Sequence, residues 1–590
     1  MTQRYYTNER NAQIVISLLK QYGIKKVIAS PGATNVTFVG SVQQDPFFEV
    51  YSSVDERSAA YMACGLAAQS GEAVVLSCTG ATASRNYLPG LTEAFYRKLK
   101  VVAITSTQPL ERIGHLIPQV VDRRTPPGDV VKYSTYLPTL NGNEGDEWHC
   151  ILEVNKALIE LTRSGGGPVH INLATEYSQD FSVVTLPKYR KINYYTPFDV
   201  LPDITAARIG IFVGSHATFS PELSQVIDQF CLAYNAVVFH DHTSGYHGNY
   251  GVNMSIIGAQ DQVNLGHKYA PDLTIHIGEV SGDYEGSCNI GNEVWRISLD
   301  GEVRDTFRKL TKVFEMPESS FFSYYAKKQP NTSNLEYFKS CSEGVEELSL
   351  ALKNITDLIP LSNIWIASQL SDRLPSGSIL HLGILNSLRS WNFFQPSSDV
   401  YSFSNVGGFG IDGILSTLLG ASLANQESIF FSILGDLAFF YDLNALGNRH
   451  MGNNVRILLV NNGVGTEFKN YNHPAARFQE SADKFMAAKG HYGNKSPRLV
   501  KDYASALGFE YLAATTKDEF TANIPIFTDP SQRKQPIIFE VFTSDQDENV
   551  ALRMTRNLVI DPQKPVKNMI KKVLPNSIVN VGKKIYSLIK

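Results

Sequence analysis

Cysteine is scarce and scattered. The 590-residue chain has six, at Cys64, Cys78, Cys150, Cys231, Cys288 and Cys341, and no two form a Cys-x-x-Cys pair. That spacing excludes a zinc ribbon and offers no disulfide framework. The thiols are expected to be reduced and mostly buried, as in a cytosolic protein. Long apolar runs are missing too. No stretch is long enough to span a bilayer, and the polar amino terminus, MTQRYYTNERNAQ, lacks the apolar core of a signal peptide. Charge is modest, 19% of residues with a net of -4, which removes any global reason to expect nucleic acid as a partner. A Gly-x-Gly-x-x-Gly turn after a strand is absent from the middle of the chain, where Gly214-Ser215 stands alone. His240, His242 and His247 lie close together without a carboxylate or cysteine to complete a metal set, and read as a solvated or substrate-side loop.

What is there is globular, with 43% hydrophobic residues. The chain is too long for one core, so about three domains are expected. Polar, proline-containing segments near 187–203 and 327–333 divide it into 1–186, 187–350 and 351–560, followed by a tail at 561–590. In the first part, apolar helical patterns at 11–22, 58–69 and 86–97 alternate with short strand patterns at 27–29, 50–54, 73–77 and 101–106. The same alternation recurs in the other two parts. It predicts an α/β protein of three doubly wound, Rossmann-like domains with parallel sheets.

The most informative stretch is 428–468, SIFFSILGDLAFFYDLNALGNRHMGNNVRILLVNNGVGTEF. An apolar run ends at Gly435-Asp436, helical spacing follows over 439–451, and a second apolar run ends at Asn461-Asn462-Gly463. Two buried runs joined by a helix predict a βαβ unit with neighbouring parallel strands. Asp436 and Asn462 then emerge side by side at the carboxyl ends of two strands, where open α/β sheets bind ligands. A carboxylate, an amide oxygen and a loop carbonyl form a hard oxygen set suited to Mg²⁺, with a diphosphate as the expected ligand.

That arrangement resembles the signature of thiamine diphosphate enzymes. Upstream, SPGATN, DERSAAYMACGLAAQSG, TGATASRNYLPGLTEA and ITSTQP follow the pyrimidine-binding domain of that family in order and spacing. The chain is similar to the acetolactate synthase superfamily, and within it to the menaquinone-pathway synthases, up to about residue 560. The resemblance implies thiamine diphosphate and Mg²⁺ as cofactors. It implies Glu56 as the catalytic carboxyl that hydrogen-bonds the cofactor's pyrimidine; as an isolated residue, Glu56 reads equally as a first-turn helix acid. It assigns Asn386, Ser387, Phe409, Ile411, Gly435, Asp436, Leu437, Asn462 and Val464 to cofactor binding. Asp436, Asn462 and the carbonyl of Val464 form the metal set, and Ile411 props the cofactor into its bent form. Residues 467–478 correspond to a mobile loop over the substrate.

The implied reaction is decarboxylation of a 2-oxo acid, with transfer of the resulting acyl-anion equivalent to an unknown acceptor. The alternatives are simple decarboxylation, a menaquinone-pathway synthase with altered substrate binding, and a catalytically silent scaffold subunit. No His-His pair follows the Glu56 segment as in pyruvate decarboxylase-like enzymes. A homodimer or homotetramer is implied. The family pattern breaks where the menaquinone-pathway synthases place substrate-binding arginines, for this chain has Ala33-Thr34, Gln108 and Val406 there. The chemistry is expected to be kept and the substrate changed, with Thr34, Arg85, His115, Gln119, Arg389 and Lys469 as substrate-side candidates. Residues 561–590 interleave lysines with apolar residues. They read as a solvated or docked helix, or as a surface helix for weak association with the inner face of a membrane in an otherwise cytoplasmic protein.

Overall fold

The structure, a computed structural model, describes residues 5–261, 265–330, 334–491, 495–531 and 534–559. The basic stretch 561–590 lies outside the described residues. No helix among the described residues is long and apolar enough to cross a membrane. The chain divides into two compact units, one reaching to Asp199 together with Glu302–Phe314, the other comprising Val200–Gly301 and the chain from Glu315 onward.

The fold is mixed α/β with parallel sheets. In the first unit the strands are β1 (Lys26–Ala29), β2 (Glu49–Ser52), β3 (Val74–Cys78), β4 (Val101–Thr107), β5 (Tyr133–Leu137) and β6 (Val169–Ala174), in the order β2-β1-β3-β4-β6-β5. Their pairings are all parallel. Alternate residues leave each strand on opposite faces. Val27, Val75, Val102 and Ile171 enter a core with the helices Arg10–Gln21 and Glu144–Glu160. Ile28, Leu76, Val101 and Ala103 enter another with the helices Glu56–Ser70 and Leu88–Tyr96. Strands buried on both faces read as unbroken apolar runs, which is why 74–78 and 101–107 were legible. The pattern at 86–97 is two helices, Thr82–Asn86 and Leu88–Tyr96. The latter packs so closely on Glu56–Ser70 that a Cβ on Gly90 would stand 2.4 Å from the Cβ of Ala60.

β7 (Asn193–Tyr195) also belongs to this unit and pairs in parallel with β13 (Leu310–Glu315). The second unit opens with β8 (Ile209–Val213), β9 (Ala236–Phe239), β10 (Gly251–Val252), β11 (Leu273–Ile277) and β12 (Glu293–Ser298), in the order β10-β9-β8-β11-β12. Its second sheet contains β14 (Ile379–Leu382), β15 (Tyr401–Ser404), β16 (Phe430–Gly435), β17 (Val455–Asn461), β18 (Glu510–Ala514) and β19 (Ile537–Phe542), in the order β15-β14-β16-β17-β19-β18. Counted along the chain, this is the strand order of the first unit's sheet. In both, the order reverses beside the opening strand, at β1/β3 and at β14/β16, and such reversals open a crevice at the carboxyl ends of the strands.

One local expectation fails. The helical spacing over 439–451 is not one helix. A helix spans Asp436–Tyr441 and a 3-10 turn spans Leu443–Gly447. Between them Asp442 is buried and its carboxylate accepts from the backbone N–H and hydroxyl of Ser416, at 2.5 and 2.6 Å. That side-chain anchor replaces the continuation of the helix. Of the three clustered histidines, His247 is exposed and His240 partly exposed. His242 is buried; its Nδ1 meets Ser402 Oγ at 3.1 Å and its Nε2 lies 2.9 Å from the carbonyl of Trp391.

Candidate active site

At the carboxyl edge of the first sheet, β1 ends in Ser30-Pro31-Gly32 and β3 in Thr79-Gly80-Ala81. Gly32 is needed for close approach, because a Cβ there would lie 2.6 Å from Thr79 Cβ. Thr34 is buried; its hydroxyl contacts Thr79 Oγ1 and donates to the Ser106 carbonyl at 3.1 Å. It therefore ties the ends of three strands together. Ala81 has φ 58° and ψ -127°, a region costly for a residue with a side chain and found where surrounding structure enforces it, often at functional sites.

Glu56 opens the helix Glu56–Ser70, and Asp55 caps it by accepting from the N–H groups of Arg57 and Ser58 at 2.8 and 3.1 Å. Glu56 is partly exposed, and its charge pushes the thiol of Cys78 and the phenol of Tyr87 further up than their burial alone. The carboxylate thus lies within electrostatic reach of the end of β3. It forms no hydrogen bond of its own among the described residues.

The remaining candidates of this unit are dispersed. Arg85 donates to the carbonyl of Asp122 at 3.0 Å. His115 and Gln119 are exposed, and only the Gln119 backbone, at φ 65°, approaches the crevice, with its carbonyl 3.4 Å from where a Gly80 Cβ would be. Gln108 is held by Arg112 Nη1, which donates to its Oε1 at 2.7 Å, and by the Tyr177 hydroxyl, which accepts at 2.9 Å. One residue was missed from sequence: Arg123. It is 8% exposed, and its Nε, Nη1 and Nη2 are buried without an acceptor. The unequal count of Asp122 against Arg123-Arg124 was the signal available.

In the second unit, β16 and β17 are parallel neighbours with Gly435 opposite Val460. Asp436 and Asn462 leave adjacent strand ends. Asp436 is 4% exposed and receives backbone N–H groups of Leu437 and Gly463. Burial pushes its carboxyl up to about 7, the nearby charge of Glu540 adding to the shift. Asn462 Oδ1 accepts from Val464 N–H at 3.2 Å, whereas Asn461 turns inward and donates to Glu540 at 2.6 Å. Leu437 packs toward Gly465, its Cδ1 3.3 Å from where a Cβ would be.

Across the crevice, β14 runs into Gly383, where a Cβ would meet the Ile433 carbonyl at 3.2 Å. Leu385 follows at φ 71°, ψ -118°, and the helix Asn386–Trp391 begins. Ser387 is buried, and the Asn386 side-chain amide is oriented with its oxygen accepting from the Glu467 N–H and its nitrogen donating to Glu467 Oε2, both at 3.0 Å. In the loop after β15, Gly407 and Gly408 face open space, Phe409 has φ 55°, and Ile411 packs at the margin of the core. Arg389 forms a two-point pair with Glu467 at 2.9 and 3.3 Å, and Lys469 pairs with Asp483. Both candidate cations are neutralised inside the chain, and Asn549 fastens the segment by accepting from Tyr471 N–H and donating to the Lys469 carbonyl.

The residues present suit a hard divalent cation and a diphosphate. The Asp436 carboxyl is buried with no cation beside it among the described residues, so a bound metal would supply the charge that burial withholds. The Asn462 amide and the Val464 carbonyl add neutral oxygens, the donor type Mg²⁺ prefers. No cluster of three or more His, Cys, Asp or Glu able to hold a metal occurs among the described residues, so this site, built on a single carboxylate, would rely on ligand oxygens and water.

Comparison with known proteins points to thiamine diphosphate as the cofactor. Residues 10–125 match the family described as thiamine pyrophosphate enzyme, N-terminal TPP binding domain. A 2-succinyl-5-enolpyruvyl-6-hydroxy-3-cyclohexene-1-carboxylate synthase of Bacteroides fragilis is 31% identical over 556 residues, covering 91% of this chain and 97% of that protein. The synthase of the same name from Phocaeicola vulgatus is 29% identical over 571 residues, covering 93% and 98%. That of Bacteroides thetaiotaomicron is 30% identical over 571 residues, covering 91% and 97%. The chain belongs to the thiamine diphosphate-dependent enzymes, in the family of these synthases.

Proposed function

We propose that this protein is a Mg²⁺- and thiamine diphosphate-dependent carboligase, a synthase of the kind its relatives are named for, with altered substrate binding. It takes a 2-oxo acid, releases CO₂ and joins the remaining unit to an acceptor. The product name of the relatives describes a succinyl group carried on a cyclohexene ring, which requires a carbon–carbon bond and favours ligation over simple decarboxylation. The observation that carries the reading is the buried, cation-free carboxyl of Asp436 beside Asn462 at adjacent strand ends.

When bound, thiamine diphosphate supplies the electron sink for decarboxylation. The protein's own residues bind and orient. Asp436, Asn462 and the Val464 carbonyl would hold Mg²⁺, Asn386 and Ser387 would bind the diphosphate, and Phe409 and Ile411 would support the pyrimidine. Glu56 would accept and return a proton at a carboxyl oxygen, from its partly exposed place in the first turn of the helix. Val50, Tyr51, Val54, Tyr61 and Met62 are exposed around Glu56, an apolar surface suited to cover by a second copy of the chain. The reading includes a homodimer or homotetramer, with domains divided near 186 and 350. Altered substrate binding rests on Thr34, Gln108 and Val406, none of which supplies a cation.

The test is CO₂ release from a panel of 2-oxo acids, with and without cyclic and aldehyde acceptors, and mass spectrometry of the products. Acceptor-dependent release with a ligated product is expected. Release that ignores every acceptor would mean a simple decarboxylase, and silence across the panel would mean a scaffold; either result defeats the proposal.

A further inference from the structure

Three arginines, Arg85, Arg123 and Arg124, lie close in the first unit to a single acid, Asp122, and only Arg124 reaches its carboxylate. Asp122 accepts from Arg124 Nε and Nη2 at 2.9 and 2.7 Å, and that partner holds its carboxyl down to about 2. Arg85 takes the Asp122 backbone carbonyl at 3.0 Å. Arg123 receives neither. It is the most buried of the three, 8% exposed, and none of its nitrogens has an acceptor.

Its surroundings do not compensate the charge. Cys78 is pushed up to about 12 by burial, so its thiol stays neutral. His170 is pushed down to about 3 by burial and by the charge of Arg123, and its Nε2 lies 2.7 Å from Thr105 Oγ1. Burial lowers Arg123 itself only to about 10, so the guanidinium remains charged at neutral pH. Buried arginines elsewhere in the chain do find acceptors. Arg456 donates to the carbonyls of Asn453 and Val455 at 2.8 and 3.0 Å, and Arg296 donates to that of Gly278 at 2.5 Å. An arginine left charged and unpaired in such a place is strongly unfavourable unless a ligand completes it.

The position is at the crevice. A Cβ on Gly80, just past β3, would stand 3.1 Å from Arg123 Nη1 and 3.3 Å from the Ser106 carbonyl, so the glycine leaves the guanidinium room. Ser106 Oγ, at the end of β4, is also buried without a partner. Cys78 lies within electrostatic reach of both Glu56 and Arg123. The cation and Glu56 thus both lie within electrostatic reach of the end of β3.

We propose that Arg123 binds a carboxylate of the substrate, in the two-point manner a planar guanidinium offers a planar anion. Substrate identity here rests on the proposed reaction, which consumes a 2-oxo acid; the anion site itself rests on the orphaned guanidinium.

The experiment separates the two. The full chain is titrated by calorimetry with 2-oxoglutarate, pyruvate and inorganic phosphate, without turnover, as wild type, Arg123→Met and Arg123→Lys. Loss of a charged hydrogen-bonding partner should weaken 2-oxo acid binding about ten- to a hundredfold in Arg123→Met, with Arg123→Lys between. Thiamine diphosphate affinity should be equal in all three. Because no protein acceptor is lost, Arg123→Met without ligand should melt no lower than wild type. Equal acid affinity in wild type and Arg123→Met overturns the proposal. So does a marked fall in melting temperature, which would reveal a structural partner, or binding of phosphate in preference to both acids. Arg123-dependent acid binding in a protein that turns over no 2-oxo acid keeps the anion site and defeats the proposed reaction; turnover with an unchanged KM in Arg123→Met does the reverse.

Discussion

Replacing Glu56 with Gln separates a catalytic carboxyl from a structural one. The structure limits what the change can do to folding. Glu56 is a first-turn acid of the helix Glu56–Ser70, and the cap belongs to Asp55, which keeps both of its N–H donors. Its own carboxylate accepts no hydrogen bond among the described residues, so Gln orphans no buried donor. What is lost is the attraction between one negative charge and the helix start, about 0.3–1 kcal/mol. For a unit of this size that corresponds to a fall of about 4 °C or less in melting temperature. If Glu56 holds and passes a proton in the reaction, the kinetic loss is far larger, about 10²- to 10⁴-fold. Exchange of the cofactor's C2 proton for deuterium, followed by NMR after rapid quenching in the Mg²⁺- and thiamine diphosphate-loaded protein, reports that function without knowledge of the substrate. Exchange within about threefold of wild type would show that Glu56 is only a helix-start acid, and the assignment would fall.

Asp436→Asn should abolish the gain in thermal stability on loading with Mg²⁺ and thiamine diphosphate, a gain of about 2.7 kcal/mol in wild type at a hundredfold excess over Kd; an undiminished gain in differential scanning would place the metal elsewhere. Glu548 is buried and its carboxyl is pushed up to about 7, above its unfolded value, so the folded state takes up a proton as pH falls through 7 and gains stability down to about 4.5. Glu548→Gln should remove that gain, about 1.4 kcal/mol per pH unit, as read from urea midpoints between pH 7 and 5. His170 and His276 act oppositely, because burial pushes each down to about 3; their contribution is present above pH 6.5 and is lost as pH falls toward 3, so substituting either by Phe should flatten acid denaturation below pH 6. Gly90→Ala would drive a methyl into Ala60, 2.4 Å away, and should destabilise the protein by about 1–3 kcal/mol in urea while shifting the helix that carries Glu56.

The parts of the site written as strand ends were legible in the sequence. Phe430–Gly435 and Val455–Asn461 are buried on both faces, so their apolar runs and the polar residues that stop them marked adjacent strands without any knowledge of the fold. The sheet order was not legible. Nothing local says that β14 lies between β15 and β16, since pairing is decided by crossovers that the pattern of one strand does not encode. The helical spacing at 439–451 misled for a related reason: Asp442 sits at a polar gap in the spacing, and only the fold brings Ser416 to it.

Charge was the least legible feature, because a sequence shows cations but not their partners. Arg389 and Lys469 looked available to an anionic substrate, yet Glu467 and Asp483 neutralise them. Arg123 stands in an Asp-Arg-Arg run, a setting in which such residues are mostly solvated, yet it is buried. Three residues within one turn of chain thus have opposite roles: Asp122 and Arg124 satisfy each other at the surface, and in doing so withhold from Arg123 the one carboxylate next to it. The same exclusion that hid the residue from a sequence reading is what leaves its guanidinium free for a ligand.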